Sequence, residues 1–136
     1  MSDSVTVTVV VRAGPAEAFR MFTDEVDSWW KRGPQFRSGV GAMRFEAGRL
    51  LEGGTEVGRV LAWEAGSRLR LELRNWSLGG GEPSEVEIRF DAVGDATRVT
   101  VVHRGWGARP TGAAEFRTVV GLWWGTLLTG LTRALR

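Results

Sequence analysis

The chain has 136 residues, 43% of them hydrophobic and 25% charged, which fits one domain of roughly 100–200 residues and excludes a disordered chain, a coiled coil or a collagen-like repeat. Eighteen basic against 16 acidic residues leave a formal charge of +2. The pI near 10.3 reflects the lack of Cys and Tyr and the single lysine, Lys31, rather than a basic surface, and arginines interleaved with glutamates exclude a clustered nucleic-acid interface.

Val5, Val7, Val9 and Val11 alternate with Thr6, Thr8 and Val10, a β-branched period-two run that predicts a strand. Gly14-Pro15 ends it and opens a helix, with Gly14 as N-cap and Glu17 in the first turn. Ala18, Phe19 and Phe22 form its inward face. Thr23-Asp24 is read as the cap of a second helix running to Trp29 and Trp30, which Lys31-Arg32-Gly33-Pro34 ends. Trp29 and Trp30 point about 100° apart on that helix, so one of them is expected near the surface.

From Val40 to Arg104 the pattern is strand, turn, strand. Phe45 lies in a short strand closed by Ala47-Gly48, and Gly53-Gly54 turns the chain again. Val57 to Glu64 reads as a strand with Val57, Leu61 and Trp63 on one face. Leu69, Leu71 and Leu73 alternate with arginines and Glu72, and Gly79-Gly80-Gly81 marks a longer loop. Val86, Ile88 and Phe90 face in while Glu85, Glu87 and Arg89 face out. Val99, Val101 and His103 share the inner face of the last strand. Connections this short permit antiparallel neighbours only.

After Pro110, Thr111 or Gly112 caps a final helix. Steps of about 100° place Phe116, Val120, Trp123, Leu127 and Leu131 in one stripe, with Trp124 and Leu135 at its edge. Gly121, Gly125 and Gly130 each weaken the helix by about 1 kcal/mol relative to Ala, so packing rather than propensity must hold it.

The run Ala13-Gly14-Pro15-Ala16-Glu17-Ala18-Phe19, then Phe22-Thr23 and Trp29-Trp30, resembles the entry of START-like (SRPBCC) domains of the Aha-type branch, named for activators of a heat-shock chaperone ATPase. Val60-Leu61-Ala62-Trp63-Glu64, the Leu69 strand ending at Trp76, Thr97 through Trp106, and Trp124 followed by Leu127, Leu128 and Leu131 extend the resemblance over nearly the whole chain. It implies an α+β helix-grip fold, β-α-α-β(6)-α, in which a curved antiparallel sheet wraps a long C-terminal helix and leaves a pocket between them. Gly121-Leu122-Trp123-Trp124 departs from the family's Gly-Trp by an extra bulky residue, which implies a smaller pocket.

The seven tryptophans suit both a core and the wall of a ligand site. The expected ligand-binding residues are Trp30, Trp63, Trp76, Trp106 and Trp124, with Phe36 at the mouth beside Gly33-Pro34 and His103 as a polar handle. His103 is alternatively a buried histidine bonded to a carbonyl or a Trp N–H, or an acid/base group. No Gly-x-Ser-x-Gly elbow exists and no acid adjoins His103 in sequence, so no catalytic residue is assigned. Without cysteine, and with one histidine, disulfides and paired-ligand zinc motifs are excluded, and no metal or cofactor is expected. Asp24, Glu25 and Asp27 are read as charges at a helix start. Arg74 and Arg104 are read as outward strand residues.

Met1-Ser2-Asp3-Ser4 carries no basic segment leading into an apolar one, and Val119 to Leu131 is too short for a bilayer, so a cytoplasmic domain over residues 1–136 without membrane insertion is expected. The leading functional expectation is a non-enzymatic domain that binds a small apolar or aromatic molecule. The alternatives are a module contacting a protein partner, such as a chaperone, through an exposed Trp29 or Leu122, and a cyclase- or hydrolase-type enzyme using His103.

Overall fold

A computed structural model describes residues 4–37, 41–74, 83–106 and 113–136. The element order is β1 (Ser4–Val11), α1 (Pro15–Thr23), α2 (Val26–Trp29), β2 (Met43–Glu46), β3 (Arg49–Glu52), β4 (Thr55–Glu64), β5 (Arg68–Leu73), β6 (Ser84–Val93), β7 (Ala96–Arg104) and α3 (Ala113–Ala134). The strands form one antiparallel sheet in the order β1-β7-β6-β5-β4-β3-β2, so the first strand closes onto the last and the rest is a meander. This is the helix-grip architecture. Trp76, the Gly79-Gly80-Gly81 loop and the Thr111-Gly112 cap lie outside the described residues.

One face of the sheet carries every helix. Val11, Leu69, Leu71, Leu73, Val86, Ile88, Phe90, Val99 and Val101 are buried there, and they share one continuous core with Phe19, Phe22, Trp124 and Leu128. The opposite face is an ionic ladder. Glu87 accepts from Arg68 and Arg89, Glu85 from Arg70, and Arg104 reaches both glutamates. Burial pushes each of these two carboxyls up, but the facing guanidinium hydrogen bonds and charges together hold both below the usual glutamate range.

Four local readings are corrected. Thr23 does not cap α2; its hydroxyl donates to the Phe19 carbonyl at 2.8 Å, and the N-cap position is Glu25, with no side-chain cap bond. Trp29 and Trp30 are both buried, because α2 ends at Trp29 and the extended backbone at Trp30 turns its ring inward as well. In β4, ladder irregularities between Leu50/Leu51 and Val60/Ala62 break the simple alternation. Trp63 therefore lies opposite the buried Leu69 and Val60 opposite Leu71, while Leu61 is 45% exposed. In α3, Trp124 and Leu128 are fully buried, so the packed stripe is centred near Trp124 rather than having it at the edge.

The glycines of α3 mark where it touches its neighbours. A methyl group at Gly130 would lie 2.5 Å from the Trp29 carbonyl oxygen, and one at Gly121 would lie 3.3 Å from Val5 Cγ2. Gly125 faces open space. Two of the three glycines thus permit close approach of the helix to α2 and β1.

Candidate functional site

The predicted ligand-facing residues fall into three environments. Trp30, His103, Trp106 and Trp124 are brought together and buried. Trp124 meets Trp30 and His103 edge-on at ring separations of 5.7 and 6.1 Å, and His103 meets Trp106 at 5.5 Å. Edge-to-face rings at these distances are a favourable packed arrangement, beyond the area they bury. His103 and Trp124 are fully buried, so neither ring borders open space, and Trp30 and Trp106 keep only 5% and 7% exposure.

His103 sits at the centre of this group by virtue of the β7 alternation. The Trp124 indole N–H donates to His103 Nδ1 at 2.9 Å, and Ser84 Oγ lies 2.7 Å from Nε2. An indole nitrogen can only donate, so Nδ1 is the unprotonated nitrogen and Nε2–H donates to the serine oxygen. This polarity is the reverse of that needed to activate a serine. Burial depresses the His103 pKa to about 3, which keeps the ring neutral near pH 7. The nitrogen facing Ser84 thus has no free lone pair to take up a proton. Ser84 was legible in the sequence, since it continues the inward alternation of Val86, Ile88 and Phe90.

The expected mouth is a fastened turn. The indole N–H groups of Trp30 and Trp123 donate to the carbonyls of Phe36 and Gln35 at 2.8 and 2.6 Å. Arg37, buried, donates to an Asp27 carboxylate oxygen at 2.7 Å and to the Trp30 carbonyl. The other Asp27 oxygen bonds Arg32, and the Met43 N–H also donates to the carboxylate. That backbone bond, reinforced by Arg37, holds the Asp27 carboxyl below its ordinary range. Asp27 is thus the tie between α2, the Gly33–Arg37 turn and β2, not simply a charge at a helix start. Phe36 stacks on Trp123 at 6.2 Å and lines an outer cleft of about 280 Å³ with Val119, Leu122 and Thr126.

Trp63 stands apart. It faces the helix-bearing side of the sheet yet is 45% exposed, touching Phe19 of α1 and Phe45 of β2 edge-on at 5.3 and 5.7 Å. Phe45, Val60 and Trp63, with the Glu46–Gly48 backbone, line an open and largely apolar cleft of about 330 Å³. The β2–β3 turn at its rim has positive φ at both Ala47 and Gly48, the tight hairpin geometry expected of that dipeptide position. Phe45 and Val60 were not among the predicted site residues, because the shifted register of β4 conceals that Val60 shares a face with Trp63.

A family model described as activator of Hsp90 ATPase homolog 1-like protein matches residues 12–136. The chain belongs to this family. The fold is also that of CalU16 from Micromonospora echinospora, at 22% identity and a TM-score of 0.71, covering 98% of this chain and 74% of that one. It is shared by DynU16, described as a protein in the dynemicin biosynthetic locus, at 24% identity and a TM-score of 0.68, over 99% of this chain but only 48% of that one. A third match is CV1439 from Chromobacterium violaceum, at 19% identity and a TM-score of 0.66, over 98% and 96% of the two chains. No curated protein matches. Among the described residues no helix is long and apolar enough to cross a membrane.

Proposed function

We propose that this chain is a non-enzymatic, cytoplasmic binding module for a small, largely apolar molecule with a planar aromatic part, held in the cleft beside Trp63. The observation that carries the reading is the half-exposed indole of Trp63 on the inner face, edge-on to two phenylalanines beside a cleft of about 330 Å³. That volume is at the lower end of small-molecule sites, which run from roughly 300 to 1,000 Å³. A large indole left uncovered on a core-facing strand position offers a stacking platform. Burial of ligand against it yields about 25 cal/mol per Å² before ordering costs. The occurrence of a similar fold in the dynemicin biosynthetic locus supports a small-molecule ligand.

In this reading Trp63 is the ligand-facing residue and Phe45 and Val60 its walls. Trp30, His103, Trp106 and Trp124 are the packed backing that keeps the sheet and α3 in place, and Phe36 belongs to the outer cleft. Trp76 is retained as a ligand-binding candidate from the sequence alone.

The test is titration with flavonoids, polycyclic aromatic quinones and fatty acids, followed by tryptophan fluorescence. At least one ring compound is expected to give saturable quenching, and Trp63→Ala is expected to weaken it about tenfold, the equivalent of one lost ring stack. No saturable response from any compound, or unchanged affinity in Trp63→Ala, would overturn the assignment.

A further inference from the structure

The geometry points to self-association: the solvent face of α3 is the contact surface for a second copy of this chain, packed antiparallel about a two-fold axis level with Trp124. Glu115, Thr118, Val119, Leu122, Thr126, Thr129 and Arg133 are all exposed. At about 100° per residue they fall within about 60° of Leu122, forming one straight stripe. Leu122 is 68% exposed and Val119 47%. From Thr118 to Thr132 the helix carries no charged residue at all. Thr118 and Thr129 turn their hydroxyls back onto the carbonyls of Ala114 and Gly125 at 3.1 and 2.9 Å, so these side chains present methyl groups with their polar atoms already bonded. This is an apolar surface on the side of the helix away from the core.

The ends of the stripe say what covers it. Glu115 and Arg133 enter no ion pair among the described residues. They lie about 27 Å apart along the helix at 1.5 Å per residue, with opposite charge and the same angular position. Residue 124 is midway between them. It is also midway between Leu122, the protruding side chain, and Thr126, which lines the outer cleft with Phe36 and Trp123. A single two-fold axis at that level therefore does two things at once. It seats each Leu122 over the partner's cleft at Thr126, and it sets each Glu115 beside the partner's Arg133. Isologous pairing requires this self-complementarity, and an antiparallel helix pair about 8–10 Å apart provides it.

Sedimentation velocity over a range of concentrations tests this, with circular dichroism confirming that each variant folds. The wild type is expected to form a dimer. Leu122→Glu, at a position exposed in the single chain, is expected to be monomeric. Glu115→Arg and Arg133→Glu are each expected to weaken the dimer about tenfold, and the double reversal to restore it, because the swapped charges meet again across the axis. A wild-type monomer at all concentrations would overturn the proposal, as would a dimer indifferent to Leu122→Glu or a double reversal that fails to restore association. A partner of another kind on this face would appear as the first of these outcomes.

Discussion

His103 is held by two hydrogen bonds of opposite sense, one accepted at Nδ1 and one donated from Nε2. Only the neutral ring satisfies both, and its pKa falls from 6.5 to about 3 in the folded chain. Between those values the unfolded chain takes up a proton that the folded chain refuses, so stability is complete above about pH 6.5 and declines as pH falls toward 3. Asp27, Glu85 and Glu87 also lose stability in acid, but with depressed carboxyl pKa values that loss sets in only as pH falls through the ordinary values of 3.8 and 4.5 and continues below them. The interval from pH 6.5 to 5 therefore isolates the histidine. Urea unfolding should lose on the order of 1–2 kcal/mol across it. His103→Gln should be flat over the same interval, since an amide offers a donor and an acceptor without titrating. An equal slope in both proteins would refute the assignment of the pH dependence to a buried, neutral His103.

At the scale of the element, α3 shows that similar-looking glycines have opposite roles. Gly125 meets nothing that a methyl group would touch, so Gly125→Ala should stabilise the chain by about 0.5–1 kcal/mol through helix propensity and reduced freedom of the unfolded chain. Gly130 lies against the Trp29 carbonyl, so the same change there must push α3 away from α2 and should destabilise by about 1–3 kcal/mol. Thermal unfolding of the two variants should move in opposite directions. The same helix is amphipathic in an unusual sense: its inner face is packed indole and leucine, and its outer face carries no charge between Thr118 and Thr132. Such a helix is suited to contacts on both sides.

Over the whole molecule, one core joins the helices to all seven strands of the sheet, and a chain of ring contacts crosses it. Trp63, Phe19, Phe90, Phe22 and Trp29 touch in succession, and Trp30 and Trp124 continue the series to His103. None of α1, α2, α3, β4, β6 or β7 can leave without exposing a neighbour's rings. Unfolding should therefore be a single cooperative step, with tryptophan fluorescence and far-ultraviolet circular dichroism giving coincident transitions. Separate midpoints would show that α3 or the β2–β3 hairpin detaches on its own.

The linear order of residues settled the strands and helices and the inward faces of β1, β5, β6 and β7, because alternation is local and the apolar residues can be buried in few ways. The Leu69 and Val86 strands and the inward placement of His103 follow from that. Tertiary structure decided what neighbours do to each other. Local spacing carries no information on ladder irregularities, and those set Trp63 opposite Leu69 and away from Leu61. The bonds from Asp27 to Arg37 and Met43 span ten and sixteen residues, and the Trp124–His103 bond spans twenty-one. Whether an indole borders a cleft or fills a core depends on the rings brought against it from distant elements, and that is why Trp63 and Trp124 look alike in the sequence and part company in the fold.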